Sequence, residues 1–147
     1  MGSPTNRIEV TLESVLDSVD LAEDISLRVA VAAGFDDDAR DRIGMSVREG
    51  MINAVTYGNR GAREKKIFLS LGLDGNKMVI RILDQGQGFR LEDVPDPLAE
   101  ENLLKTSGRG IFLMRAFMDE FEVRPGAQGG AELVMAKRLP AAAAKPS

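Results

Sequence analysis

Residues 67 to 88 read Ile67-Phe-Leu-Ser-Leu-Gly-Leu-Asp-Gly-Asn-Lys-Met-Val-Ile-Arg-Ile-Leu-Asp-Gln-Gly-Gln-Gly88. Two apolar runs, residues 67–71 and 78–83, flank the turn signal Asp74-Gly75-Asn76. Short apolar runs on either side of such a turn are typical of a β-hairpin. The second run ends at an acidic residue that glycines follow, so the hairpin leads directly into a candidate ligand site.

The segments before this hairpin are predicted to be one strand and two helices. Residues 7–12 alternate polar and apolar side chains, which indicates a half-buried strand. Ser18 is the predicted N-cap of a first helix that ends at Gly34. A second helix is predicted from residues 36–38 to about Tyr57, with Gly58-Asn59 ending it.

The segments after the hairpin complete the predicted fold. Residues 85–110 are rich in glycine, proline and charge and are predicted to form a long functional loop. A helix over 111–118 and strands over 121–124 and 131–136 follow. The strands cluster late and are joined by tight turns. The sequence therefore predicts an α+β two-layer sandwich, with a mostly antiparallel mixed sheet covered on one face by helices.

Composition narrows the chemistry. The chain has 147 residues, a net charge of −4, and neither cysteine nor histidine. Disulfides, thiolate zinc sites and cysteine or histidine catalysis are therefore excluded, and any metal should be a hard, oxygen-liganded cation such as magnesium. With a single tyrosine and no basic stripe, nucleic acid is not an expected ligand. Neither a membrane span nor a signal peptide is expected, and the predicted location is the cytoplasm.

Three short motifs carry candidate chemistry. Glu49 and Asn53 are four residues apart on a predicted helix, so they share a face, but such polar pairs are also common on solvated faces. Asp84-x-Gly86-x-Gly88 follows a strand, where the carboxylate can bind a base amino group or lead an ordinary turn. The third motif is Thr106-Ser107-Gly108-Arg109-Gly110, which precedes a predicted helix and has Lys105 beside it. The N-terminus of that helix would suit phosphate, and a flexible loop is the alternative.

Together, in this order, the three motifs resemble those of the GHKL ATPase superfamily, which includes gyrase and the histidine kinases. Glu49-x-x-x-Asn53 resembles its N box, Asp84-x-Gly86-x-Gly88 its adenine box, and residues 107–110 its second glycine box. Residues 49–55 and 101–120 look most like those of bacterial anti-sigma factor serine/threonine-protein kinases. The resemblance spans residues 8 to 138 and implies the Bergerat ATPase fold.

The resemblance also implies cofactors and roles. ATP and Mg2+ would be the cofactors, with Asn53 holding the metal, Glu49 acting as catalytic base and Asp84 bonding the adenine amino group. Residues 91–107 would form a lid. The implied nucleotide-binding set is Asn53, Asp84, Gly86, Gly88, Lys105, Thr106, Ser107, Gly108, Arg109 and Gly110.

The departures from the family pattern are Asn59, where relatives often carry other residues, and Arg109 between two glycines. The family implies a sigma factor or similar partner, a STAS-type anti-anti-sigma substrate and a homodimer. A non-catalytic ATP-dependent switch, the ATPase domain of a split histidine kinase and a structural domain without ligand stay open as alternatives. The predicted domain is 7–138, with an N-terminal extension over 1–6 and a tail over 139–147.

Overall fold

The computed structural model describes residues 7–86 and 106–140, which contain three α-helices, one π-helical turn and five strands. The helical elements are α1 Asp17–Ala32, α2 Asp37–Asn53, the π turn Ala54–Gly58 and α3 Thr106–Phe117. The strands are β1 Arg7–Glu13, β2 Lys66–Asp74, β3 Lys77–Leu83, β4 Glu120–Pro125 and β5 Ala131–Arg138.

The strands form one sheet in the order β1-β2-β3-β5-β4, and every pair of neighbours is antiparallel. Ile80 stands at its centre, opposite Leu71 on one side and Met135 on the other. Alternate residues of β3 are buried, because side chains along a strand point to opposite faces. The α+β prediction with helices on one face is confirmed, and the described strands contain no parallel pair.

Helix α1 begins earlier than predicted. Its first residue is Asp17, and the N-cap position is Leu16, which makes no side-chain capping bond. Ser18 is therefore not the N-cap; it lies buried in the first turn. Backbone bonds from Ser18 N to Val15 O (3.0 Å) and from Val19 N to Leu16 O (3.0 Å) start the helical winding upstream.

The predicted stop at Gly34 is confirmed. Gly34 has a φ of 92°, a left-handed conformation that favours glycine. Its N–H donates to Val31 O (3.0 Å) and that of Phe35 donates to Ala30 O (3.1 Å), which is the Schellman pattern. Asp36 then caps α2 by accepting the Ala39 N–H at 2.9 Å, as its position predicted.

The helical run after Asp36 extends as far as predicted but changes pitch. The α-helix ends at Asn53, and Ala54–Gly58 forms a π turn. The Asn59 N–H donates to Ala54 O at 2.8 Å, a bond over five residues that is typical of this wider winding. Isolated π turns are frequent at functional sites.

Helix α3 starts at Thr106 rather than at Ile111, so residues 106–110 are helical and not part of a loop. Glycine disfavours a helix interior by about 1 kcal/mol relative to alanine, which is why the sequence favoured a later start. The buried stripe of Gly110, Ile111, Met114 and Met118 packs at helical spacing, and this burial outweighs the propensity cost.

The core lies between the sheet and the helices. Gly50 brings α2 close to the sheet, because a Cβ there would stand 2.8 Å from both Ile82 Cδ1 and Leu133 Cδ2. This close approach sets the depth of α2 and so the position of the polar residues on either side of Gly50.

Candidate functional site

Glu49 and Asn53 lie on the face of α2 that meets α3. Asn53 is only 8% exposed and Glu49 is half-buried, so the pair does not belong to a solvated surface. A Cβ placed on Gly110 would stand 2.7 Å from Glu49 Oε1 and 3.6 Å from Asn53 Nδ2. The structure therefore brings together the first and third sequence motifs, which are separated by more than fifty residues in the chain.

The Asn53 carboxamide carries a buried oxygen without a partner. Within residues 7–86 and 106–140, Asn53 Oδ1 is shielded from solvent and accepts no hydrogen bond. A buried acceptor left unpaired costs free energy unless a ligand satisfies it. Carboxamide oxygens are ligands that Mg2+ accepts, so this atom fits the predicted role of Asn53.

The described residues offer no ready-made cage for a metal, since they contain no cluster of three or more acidic side chains. Mg2+ does not require such a cage, because it is usually held by one or two protein ligands together with substrate phosphates. Asn53 would supply the protein ligand, with Glu49 beside it on the same helical face.

Asp84 is buried, with only 4% of its surface exposed. Its Oδ1 accepts the backbone N–H groups of Gly86 (2.9 Å) and Ala131 (3.1 Å). In the described part of the chain these are the only bonds to the carboxylate, and Oδ2 lies beside Gly58. Among the described residues the carboxylate is thus oriented through Oδ1, which fits the predicted role of Asp84 as the acceptor for a base amino group.

Two glycines, Gly58 and Gly130, lie directly against Asp84, and a third, Gly86, lies against Gly58. A Cβ on Gly58 would stand 2.1 Å from Asp84 Oδ2, and one on Gly130 would stand 2.2 Å from Asp84 O. A Cβ on Gly86 would stand 1.8 Å from Gly58 O. Gly86 was predicted, whereas Gly58 and Gly130 were read only as the end of a helix and part of a turn. Asn59 was identified only as part of the same helix end and as a departure from the family pattern, and the sequence predicted no contact for it.

The phosphate-binding prediction is only partly covered by the structure. Gly110 lies at Glu49, and residues 106–109 form the first turn of α3, although their side chains lie outside the described part. Gly88, Lys105 and the predicted lid up to residue 105 also lie outside the described residues. The first backbone N–H groups of a helix have no partner within the helix and can bind a phosphate. Because α3 begins at Thr106, the N-terminus predicted to bind phosphate lies at Thr106 rather than at Ile111.

Arg48 neighbours the site but directs its charge elsewhere. Its Nη1 lies 2.7 Å from Asp20 Oδ1 and 2.9 Å from Glu23 Oε1 on α1. The hydrogen bonds that Arg48 donates to the Asp20 and Glu23 carboxylates raise the pKa of Arg48 above its ordinary value. Arg48 therefore ties α2 to α1.

A groove of 630 Å³ lies elsewhere, between α1 and the β1–β2 edge of the sheet. Ile8, Val29 and Leu71 are among the residues that line it, and none of the predicted site residues does. None of the described helices combines the length and the apolarity that crossing a membrane needs.

Comparison with known proteins places this geometry in context. A family model described as "Histidine kinase-like ATPase domain" matches residues 12–137. Proteins named "Anti-sigma F factor" from Bacillus thuringiensis, Bacillus mycoides and Bacillus cereus are each 33% identical over 95 residues. That match covers 63% of this chain and 65% of each relative, so the alignment spans just under two thirds of their length.

A solved structure shares the fold. It is the crystal structure of the RsbU and RsbW domains of Rv1364c from Mycobacterium tuberculosis, with a TM-score of 0.66 and 18% sequence identity. The alignment covers 93% of this chain and 33% of that one.

Proposed function

Because the chain belongs to the histidine kinase-like ATPase domain family, we propose that it is an anti-sigma factor with serine/threonine-protein kinase activity. It binds ATP with Mg2+ and holds a sigma factor, or a similar protein, inactive. It phosphorylates a serine or threonine on a STAS-type anti-anti-sigma protein. Family membership implies ATP binding; the partners and the kinase reaction belong to the proposal.

The observation that carries the proposal is the meeting of Glu49, Asn53 and Gly110, where the buried Asn53 Oδ1 has no hydrogen-bond partner among the described residues. The Glu49 carboxylate and the Asn53 carboxamide both lie against Gly110, in the second turn of α3. Phosphoryl transfer needs little more from a protein than positioning and charge neutralisation. The relatives named anti-sigma F factors support the biological half of the proposal.

In this proposal the base and the phosphates of ATP are held by different motifs. Asp84 accepts a hydrogen bond from the adenine amino group, and Gly86 and Gly88 let the base approach the backbone. Residues 105–110 hold the phosphates through the helix N-terminus and through the charges of Lys105 and Arg109. Mg2+ on Asn53 would neutralise phosphate charge when bound.

Glu49 is proposed to be the catalytic base. It accepts the proton of the substrate hydroxyl as that oxygen forms its bond to the γ-phosphorus. The bond from the γ-phosphorus to the β–γ bridging oxygen breaks, and ADP leaves. Gly110, which has no side chain, lets Glu49 stand at this position.

The remaining parts of the proposal concern location and assembly. The protein works in the cytoplasm as a homodimer, and partner switching between the sigma factor and the antagonist regulates transcription. The resemblance to anti-sigma kinases supports all of these parts, and the names of the relatives support the sigma-factor part alone.

A radiolabel transfer assay tests the kinase. Purified protein is incubated with γ-labelled ATP, Mg2+ and a candidate STAS-type protein, and label on the antagonist is measured. Glu49→Gln should lose transfer by a factor of at least about 100 while it keeps its affinity for ATP. Glu64→Gln, which changes an exposed carboxylate outside the site, is the matched control. Unchanged transfer in Glu49→Gln would remove Glu49 from its role, and ATP binding by the wild type without any transfer would favour the non-catalytic switch.

A further inference from the structure

We propose that Asn59 is a positioning residue for base recognition: it holds Asp84 in place through the backbone of Gln85. The inference rests on the proposed ATP site and deepens it. It concerns a side chain that stands outside the three sequence motifs.

Asn59 is completely buried, with 0% of its surface exposed, and both ends of its carboxamide are engaged. Its Nδ2 donates to Ser14 Oγ (3.0 Å), at the β1–α1 junction, and to Lys66 O (3.1 Å), at the start of β2. Its Oδ1 accepts the backbone N–H of Gln85 at 2.8 Å. A buried amide with two donor bonds and one acceptor bond is held rigidly, because any rotation leaves a buried polar group unpaired.

Gln85 is the residue directly after Asp84, and a second bond fixes it. The Gln85 Oε1 accepts the Lys66 N–H at 2.7 Å. On its other side, Asp84 pairs its own N–H with Ala131 O at 3.1 Å. The Asp84 backbone is therefore clamped by β5 on one side and by the Asn59–Gln85–Lys66 contacts on the other.

The π turn links these contacts to the face of α2 that carries Glu49 and Asn53. Asn59 closes that turn through its N–H bond to Ala54 O, and the residue before it, Gly58, lies against Asp84 Oδ2. One short segment after Asn53 thus supplies the glycine that makes room for the carboxylate and the asparagine that fixes its backbone. If Gly58 and Asn59 served only to stabilise the fold, their contacts would not need to meet at Asp84.

The test compares two nucleotides that differ in the group Asp84 reads. Adenosine triphosphate carries a 6-amino donor, whereas inosine triphosphate carries a 6-oxo group that cannot donate to a carboxylate. Dissociation constants for both are measured by titration calorimetry in the presence of Mg2+. Asn59→Ala should weaken ATP binding about tenfold and inosine triphosphate binding less than about twofold, so that the preference for ATP falls.

Two further variants isolate the contact. Ser14→Ala removes one acceptor of the Asn59 Nδ2 group and leaves the Gln85 bond intact, so it should lower the melting temperature without changing the nucleotide preference. Gln85→Ala removes the bond to Lys66 from an exposed side chain and should reduce the preference for ATP about threefold. This exposed position keeps the proposal testable if Asn59→Ala does not fold.

A double-mutant cycle with Asp84→Asn completes the design. If Asn59 acts through Asp84, adding Asn59→Ala to Asp84→Asn leaves ATP affinity unchanged; additive losses would overturn the inference. Equal loss of both nucleotides in Asn59→Ala, or an unchanged preference in both Asn59→Ala and Gln85→Ala, would also overturn it while the proposed function stands. Failure of the wild type to bind ATP would overturn the proposed function and the inference together.

Discussion

Gly110 of α3 lies directly against Glu49 of α2. A Cβ built on Gly110 would stand 2.7 Å from Glu49 Oε1 and 3.4 Å from Glu49 Cβ. The absence of a side chain at Gly110 is therefore what allows the carboxylate to occupy its place beside Asn53. Glycine lowers the stability of a helix at that position, so Gly110 serves the geometry of the site rather than the stability of α3.

Gly110→Ala is expected to spare the fold and impair the reaction. Alanine favours the helix by about 1 kcal/mol, and the Glu49 carboxylate is the end of a flexible side chain that can swing away. The melting temperature should hold or rise, while phosphoryl transfer falls at least about tenfold because the carboxylate has left its position. Ala116→Gly, the reverse exchange at an exposed position of α3, should lower stability without changing transfer. A Gly110→Ala variant with normal transfer would contradict the placement of Glu49.

Asn53→Ala is expected to abolish the magnesium-dependent part of nucleotide binding. For the wild type, Mg-ATP at 100 times its dissociation constant should stabilise the fold by about 2.7 kcal/mol, measured as thermal unfolding with and without ligand. That shift should shrink on removal of Mg2+ with a chelator, and in Asn53→Ala the chelator should have little further effect.

Ser46→Ala is the matched control for Asn53→Ala. In the described part of the chain, Ser46 Oγ is a second buried polar atom of α2 without a hydrogen-bond partner. Its removal should raise stability by up to about 1 kcal/mol, since an unpaired buried hydroxyl is lost and helix propensity improves. The Mg-ATP shift should be unchanged. If Asn53→Ala and Ser46→Ala showed the same stabilisation by Mg-ATP, that result would argue against a metal site at Asn53.

The fold was predictable because the buried residues of its core recur at the regular spacing of strands and helices. Ile67, Leu69 and Leu71 alternate along β2, and all three are buried. The start of α3 was not predictable, because glycine propensity favoured a loop where packing against α2 favours a helix. Local propensity cannot report a contact with a residue some sixty positions away, such as Glu49.

The site was predictable only where local spacing carries the chemistry. Helical geometry predicts that Glu49 and Asn53 share a face of α2. The family motif predicts that Asp84 binds the base. Gly58 and Asn59 gave only the local signal of a helix end, whereas their contacts are made with Asp84, Gln85 and Ser14 far along the chain. Their roles depend on a π turn, which propensity and periodicity do not indicate.

Arg48→Ala is expected to loosen the α1–α2 contact only slightly. Its bonds to Asp20 and Glu23 are exposed, so the cost at low salt should stay below about 1 kcal/mol and vanish near 1 M salt. The pKa of Arg48 is raised, so its contribution is present below the unfolded-state pKa and lost only as pH rises through the still higher folded-state pKa. Denaturant unfolding should therefore show an Arg48 contribution that is constant from about pH 6 to pH 9. Arg63→Ala, an exposed arginine without an ion pair among the described residues, is the control.

Gly58→Ala is expected to damage base recognition through direct displacement of Asp84. The added methyl group would meet Asp84 Oδ2 at 2.1 Å and Asp84 Cβ at 3.1 Å, and both belong to a buried, hydrogen-bonded side chain that has little room to move. Overpacking of this kind costs about 1–3 kcal/mol of stability, and the displaced carboxylate should weaken ATP binding at least about tenfold. Gly61→Ala is the matched control from the next turn: its φ of 73° makes alanine strained, yet no atom lies within 4 Å of the added Cβ. Gly61→Ala should therefore lose stability and keep its affinity for ATP, whereas loss of stability alone in both variants would mean that Asp84 does not bind the base.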